Sequence, residues 1–357
     1  MSGQQALCRE LIDRLYAGAQ LAREELRTVL RGRNEETAAY AAMLASRLRD
    51  RIYGRQIFVR GLIEFTNYCR NDCYYCGLRR SNRNASRYRL SAEEILACCR
   101  QGYMLGFRTF VLQGGEDPYF TDERLCSLVR EIRKCCPGCA VTLSVGERSA
   151  ESYAAFREAG ADRYLLRHET ADAAHYALLH PGEMSLQHRI DCLWELKQLG
   201  FQTGAGMMIG SPGQTEDSLL DDLEFLMQLR PEMVGIGPFL PHHDTPFRAE
   251  PPGSVELTLY LLSIVRLMLP EVLLPATTAL GTASAGGRTA GVLAGANVVM
   301  PNLSPQNVRE KYLLYDNKAC TGLEAAEHLA ELKAEMEKIG FGVSMERGDH
   351  ACTRAYV

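Results

Sequence analysis

The sequence predicts an α/β chain folded as a complete (β/α)8 barrel, with a helical cap before it and a helical extension after it. Eight short β-rich runs alternate with helical patterns, which calls for parallel strands joined by crossover helices. Small or polar residues follow the end of every run, as at the mouth of a barrel. A chain of 357 residues accommodates one such barrel with extensions, or two ordinary domains.

Residues 1–54 read as the cap, where Leu11, Leu15, Leu21, Leu26 and Leu30 form a helical apolar stripe broken at Gly32 and Asn34. The barrel is assigned to 55–303, with strands at 57–65, 109–113, 140–145, 163–167, 202–209, 233–237, 272–276 and 297–300. Ser91 with Glu94 forms a capping box for a helix closed by Gly106, Ser185 opens one closed by Gly200, and Thr215 opens another. Residues 304–357 are expected to pack on the barrel as an extension containing an amphipathic helix.

With 40 basic and 44 acidic residues, the net charge of −4 gives no general attraction to nucleic acid or anionic lipid. There is no apolar run of about 18 residues, and MSGQQALCRELIDRLYAG lacks a signal-peptide core, so a cytoplasmic protein with no membrane partner is expected. Thirteen cysteines at irregular spacing argue against a secreted disulfide framework. Cys98, Cys99, Cys126 and Cys192 lie in helical segments and read as small buried apolar groups. Cys136 and Cys139 resemble a redox pair or half a zinc site, but their place between a helix and the 140–145 strand puts them on the N-terminal face, opposite the chemistry.

The chemistry centres on EFTNYCRNDCYYCG at 64–77, where Cys69, Cys73 and Cys76 stand in C-x3-C-x2-C spacing. Thiolates this close repel unless a soft cation neutralises them, and the choices are zinc or an iron–sulfur cluster. A closed zinc site needs a fourth ligand, and the nearest histidine in sequence is His168. A cubane held by three cysteines leaves one iron open; on the residues alone, a zinc knuckle with a remote ligand remains the alternative. This spacing just after an apolar strand resembles the radical S-adenosylmethionine (SAM) superfamily. The resemblance implies a radical SAM barrel and a single [4Fe-4S] cluster, whose open iron chelates SAM and whose electron releases a 5'-deoxyadenosyl radical.

It also implies a cofactor site. Tyr75 would stack on adenine; the Gly114-Gly115-Glu116 element would meet the methionine ammonium; Glu169 and Arg189 would hold the ribose hydroxyls and carboxylate; Met208, in the glycine-rich fifth strand, would lie at the adenine contact; Gln113 and Ser144 are counted in the same site, Ser144 also as a substrate contact. The residues alone also permit a turn at the glycine pair and a rim salt bridge at Glu169 and Arg189. Arg79, Arg80, Arg83, Arg87 and Arg89 form either a solvated loop or a surface for an anion or acidic partner, and His242 and His243 read as surface or capping groups. No Ser-His-acid arrangement or Walker loop is apparent.

Several runs narrow the resemblance: YYCGLRR at 74–80, RYR at 87–89, LQGGEDPY at 112–119, DRYLLRHETA at 162–171, MVGIGPFLPH at 233–242, PATTALGT at 275–282 and ANVVMPN at 296–302. Together they resemble the HydE family of [FeFe]-hydrogenase maturases, with biotin synthase and methylornithine synthase as relatives sharing the architecture. This implies a small cysteine-bound Fe(CO)2(CN) substrate made by a partner maturase, other maturation proteins, and an electron donor such as ferredoxin or flavodoxin. Arg167, Thr277, Thr278, Met300 and Tyr315 would contact the substrate, Arg167 facing an anion. Some family members hold a second cluster with three C-terminal cysteines; Cys320 stands here without the other two, which implies one cluster. The rival expectations are a radical SAM enzyme acting on an amino acid or thiol, and a non-catalytic iron–sulfur scaffold.

Overall fold

The computed structural model describes residues 3–319 and 325–354, so Cys320 lies outside the described residues. Three helices, α1 (Gly3–Tyr16), α2 (Arg23–Arg31) and α3 (Glu35–Tyr53), precede the first strand. Asn34, at the anticipated break, caps α3 by accepting the Thr37 N–H.

The strands β1 (Gln56–Val59), β2 (Gly61–Thr66), β3 (Thr109–Gly114), β4 (Ala140–Ser144), β5 (Arg163–Leu165), β6 (Gln202–Ile209) and β7 (Met233–Pro238) follow. From β2 to β7 they form one parallel sheet in sequence order. The crossovers carry α4 (Ala92–Met104), α5 (Asp122–Cys135), α6 (Ala150–Ala159), α7 (Ala173–Leu179), α8 (Leu186–Gln198) and α9 (Glu216–Leu229), with α10 (Val255–Met268) after β7. The anticipated caps are in place: Ser91, Ser185 and Thr215 each accept a backbone N–H of the first turn, and Glu94 returns to the Ser91 N–H at 2.7 Å. Arg23, Arg27 and Arg31 of α2 pair with Glu216, Asp217, Asp221 and Glu224 of α9, tying the cap to the barrel wall.

The wall closes differently from the expectation. The run 57–65 is interrupted at Arg60: β2 pairs with β3, whereas β1 pairs with β8 (Val298–Val299). The run 272–276 forms no ladder and contributes only the bridges Met233–Leu273 and Pro275–Val298, because Pro275 has no N–H to donate. A bridge from Leu62 to Asn302 completes the ring.

Beyond the seventh wall segment come α11 (Thr278–Ala283) and α12 (Gly287–Leu293), then β8, α13 (Gln306–Arg309) and α14 (Ala325–Lys338). The extension expected to be helical also supplies a strand, β9 (Gly342–Ser344), parallel to β1, before α15 (Ala351–Arg354). A three-residue strand whose partner is nearly 300 positions away leaves no period to read. The strap between β9 and α15 plugs the N-terminal end of the barrel. Thr109 Oγ1 and Arg163 Nη2 donate to the Arg347 carbonyl at 2.8 and 2.7 Å, and Asp349 pairs with the fully buried Arg163 at 2.6 Å. Cys136 and Cys139 are buried free thiols beside this end, and Cys98, Cys99, Cys126 and Cys192 are buried as expected. Among the described residues, no helix is long and apolar enough to cross a membrane.

Candidate active site

The cysteine loop begins where β2 ends and is closed on itself. Thr66 bridges Arg89, and Leu90 N–H returns to the Phe65 carbonyl at 2.8 Å. Arg87 sits inside the loop and donates to the carbonyls of Asn67, Leu78, Arg79 and Asn82. Arg79 grips Asp72 through two bonds of 2.9 and 2.7 Å, and Arg89 grips Asp117 of the LQGGEDPY run at 2.7 and 2.9 Å. Most of the basic run is therefore spent on shaping the loop, while Arg80 and Arg83 are exposed.

Burial pushes all three loop thiols up, Cys76 to about 12, and each of Cys73 and Cys76 is raised further by its neighbours' charge. Bare thiolates are thus disfavoured here, and a bound cation inverts that balance. The three Sγ atoms do not all lie within 4.8 Å of one another. A tetrahedral zinc with Zn–S of about 2.3 Å would draw them closer, whereas the corners of a cubane keep them apart.

One cavity of about 340 Å³ occupies the barrel interior beside this loop. Cys73, Cys76 and Tyr75 line it from the loop, with Gln113, Gly114 and Ser144 from β3 and β4. Arg167, Glu169, Arg189 and Met208 face it from the next segments, and Thr277, Met300 and Tyr315 from the far wall. Four expected site residues are placed elsewhere. Cys69 does not line the cavity but is near enough for its charge to raise Cys73 and Cys76, and it packs against Gly115, whose absent Cβ would fall 2.2 Å from the Tyr68 carbonyl and 2.7 Å from Cys69 Cβ. Gly115 is a point of close backbone approach under the loop. Glu116 is buried against Arg70 (2.9 Å) and the Glu147 N–H (2.9 Å), and its carbonyl takes the Arg70 N–H. Thr278 opens into a separate, smaller chamber.

Tyr75 donates its hydroxyl to His180 Nε2 at 3.1 Å while His180 Nδ1 donates to the Tyr176 carbonyl at 3.0 Å, which fixes the neutral tautomer. Burial holds the His180 pKa down at about 3. Arg189 is committed to Glu147 and to the Arg167 carbonyl, the latter at 2.7 Å. Glu169 adopts a left-handed backbone (φ 68°), unusual for glutamate. Arg167 Nη2 and Glu169 Oε2 form an ion pair at 2.9 Å that is out of hydrogen-bonding alignment, and Arg167 Nε is buried with no hydrogen-bond partner. A buried ion pair with unused hydrogen-bonding capacity in the cavity wall fits a ligand carrying hydroxyls and a zwitterionic end, as SAM does.

Sequence reasoning missed Arg60, Met233, Tyr312 and Phe239 on the same wall. Arg60 had a signal, the one cation in the run 57–65, whose other charge is Glu64; burial, then the neighbouring Arg163, pushes its pKa down. The others are apolar or aromatic and look like any core residue.

Barrel, cysteine loop and cavity together define a radical SAM enzyme, and the Radical SAM superfamily model matches residues 63–226. Its cofactors are a [4Fe-4S] cluster and SAM. The chain is 46% identical over 320 residues to the [FeFe] hydrogenase maturase subunit HydE of Thermotoga maritima, covering 90% of this chain and 89% of that one. It belongs to the HydE family. A 3-methylornithine synthase of Methanosarcina barkeri is 31% identical over 306 residues, 85% of this chain and 86% of that one. The crystal structure of methylornithine synthase (PylB) matches with a TM-score of 0.84 at 28% identity, covering 97% of this chain and all of that chain.

Proposed function

We propose that Cys69, Cys73 and Cys76 hold the cluster, that Tyr75, Gln113, Gly114, Ser144, Glu169, Arg189 and Met208 hold SAM, and that the enzyme acts on a cysteine-bound Fe(CO)2(CN) complex during [FeFe]-hydrogenase maturation. The observation that carries this is the barrel cavity joining two of the loop thiols to the Arg167–Glu169 ion pair, whose paired atoms are buried in its wall without an aligned hydrogen bond. When bound, the cluster supplies one electron that splits the sulfonium of SAM and yields a 5'-deoxyadenosyl radical.

The chain's own groups orient and shield. Glu169, ion-paired with Arg167, offers its carboxylate to vicinal hydroxyls, and Arg167 offers its unbonded Nε to an anion or cyanide nitrogen deeper in the barrel. Arg189, braced by Glu147, adds a cation beside them. Gly115 and Glu116 act by positioning the loop. The strap beneath the barrel closes that end of the lumen and keeps water from a reactive radical. The same reading places the protein in the cytoplasm, with other maturation proteins and an acidic one-electron donor such as ferredoxin or flavodoxin as partners.

The 31% identity to 3-methylornithine synthase and the TM-score of 0.84 to its structure support a second reading, an amino-acid substrate. Anaerobic reconstitution, reduction and measurement of deoxyadenosine release separate the two: the iron complex should stimulate release and lysine should not. Release that persists in Cys73→Ala would contradict the mechanism itself.

A further inference from the structure

A second chamber of about 180 Å³ adjoins the reaction cavity. Thr277 and Met300 line both and form the partition between them. On the far side the chamber is walled by small residues of α11 and the turn after it, Gly281 and Gly286, and by Thr278. Its outer rim is an ion pair, Arg288 to Glu335 at 2.9 Å, both half-exposed.

The position of this chamber gives it a role. The N-terminal end of the barrel is plugged by the strap that pairs Asp349 with Arg163. On the functional reading above, cluster and SAM fill the opposite end, beside Cys73, Cys76 and Glu169. A ligand that must lie between the plug and SAM then needs a lateral path. We propose that the chamber is that path, a port and holding station for a small polar substrate of amino-acid size, entered past Arg288 and Glu335 and left past Met300. A half-exposed ion pair is a weak latch, since solvent screens it. Methionine is unbranched, with three rotatable bonds, and can swing aside where a β-branched residue could not. The Thr278 hydroxyl with the Arg288 guanidinium suits the carboxylate of a bound cysteine, while Thr277 donates its hydroxyl to the Ile236 carbonyl. Thr278, expected to face the substrate, would do so here, before the reaction cavity.

Gly281 provides the test, because a Cβ added there meets nothing within 4 Å and so projects into open space. In the reconstituted holoenzyme, Gly281→Phe should lower kcat/KM for the cysteine-bound iron complex at least about tenfold. SAM cleavage without substrate should stay within about twofold of wild type, and Gly281→Ala should behave as wild type throughout. Glu335→Gln, which unlatches the rim, should leave kcat/KM at or above wild type. Unchanged complex-dependent turnover in Gly281→Phe overturns the port, as does an equal loss of both activities in Gly281→Ala. A wild-type enzyme that cleaves SAM but ignores the complex refutes the substrate reading, and the port for that substrate falls with it.

Discussion

Arg87 holds the cysteine loop in shape, and its removal measures how much of the cluster's security is built into the protein. Its Nη1 reaches the carbonyls of Asn67 and Leu78, and its Nη2 those of Arg79 at 2.8 Å and Asn82 at 3.0 Å, so one guanidinium spans both sides of the loop. A hydrogen bond to a charged group is worth about 1.5–3 kcal/mol, but four sharing one cation are not additive and the freed carbonyls recover some hydration. At about 1 kcal/mol per carbonyl, Arg87→Ala should cost about 4 kcal/mol of loop order, or roughly a thousandfold in the population of the open loop. The assay is the anaerobic rate of cluster loss to an iron chelator, followed by iron–sulfur absorbance, with urea unfolding of the apoprotein as the control for global damage. Loss should accelerate by two to three orders of magnitude, roughly following the open population. Arg87→Lys should rescue only part of this, because an ammonium cannot reach across the loop as a planar fork does. A loss rate within about twofold of wild type in Arg87→Ala would refute the reasoning.

Gly115→Ala places a methyl 2.2 Å from the Tyr68 carbonyl, where backbone must move, so overpacking of about 1–3 kcal/mol should appear as reduced iron content after reconstitution. Asp349→Ala leaves the fully buried Arg163 without its carboxylate; calorimetry should show destabilisation of about 3–5 kcal/mol, and a change under 1 kcal/mol would mean the strap does not hold that charge. His180 is neutral in the folded state with a pKa of about 3, against an ordinary 6.5, so its contribution is complete above 6.5 and is lost as pH falls toward 3. Between pH 6.5 and 5 this is worth about 2 kcal/mol, and urea titrations at the two pH values should show wild type losing that much more than His180→Gln.

Some of the site was legible because its signals are local. Cysteine spacing, a Ser-x-x-Glu cap and the alternation of strand and helix each depend on a few consecutive residues, and these placed the loop at the end of the first full barrel strand. What stayed hidden depends on partners far along the chain. Gly115 and Glu116 stand next to Gly114 in one motif, yet Gly114 faces the cavity while its neighbours turn under the loop. The direction is set by what packs behind, Tyr68 and Cys69, and no spacing encodes it. The threonine pair divides the same way, Thr277 reaching both spaces and Thr278 only the chamber, because α11 begins between them and rotates the second side chain off the wall.

The run RHETA shows why neighbouring residues in such a motif answer to different demands. Arg167 and Glu169 point into the cavity, whereas His168 is fully buried outside it, its Nδ1 accepting the Gly206 N–H at 3.2 Å and its Nε2 lying 3.2 Å from Asp222 of α9. Asp222 also takes the Ala171 N–H at 2.6 Å, and burial raises its pKa. A left-handed glutamate costs about 1–3 kcal/mol and persists only where its surroundings over-determine it. Here Glu169 donates its N–H to the Gly206 carbonyl at 3.0 Å and accepts the Met208 N–H at 3.3 Å, so β6 holds it from both sides. That grip requires β6 and β7 to approach at Gly206, where a Cβ would lie 2.1 Å from the Gly235 carbonyl. The placement of the Glu169 carboxylate in the cavity wall therefore depends on a glycine in the next strand and a histidine–aspartate pair behind it. Substitutions at Gly206 or Asp222 should disturb SAM affinity without touching SAM.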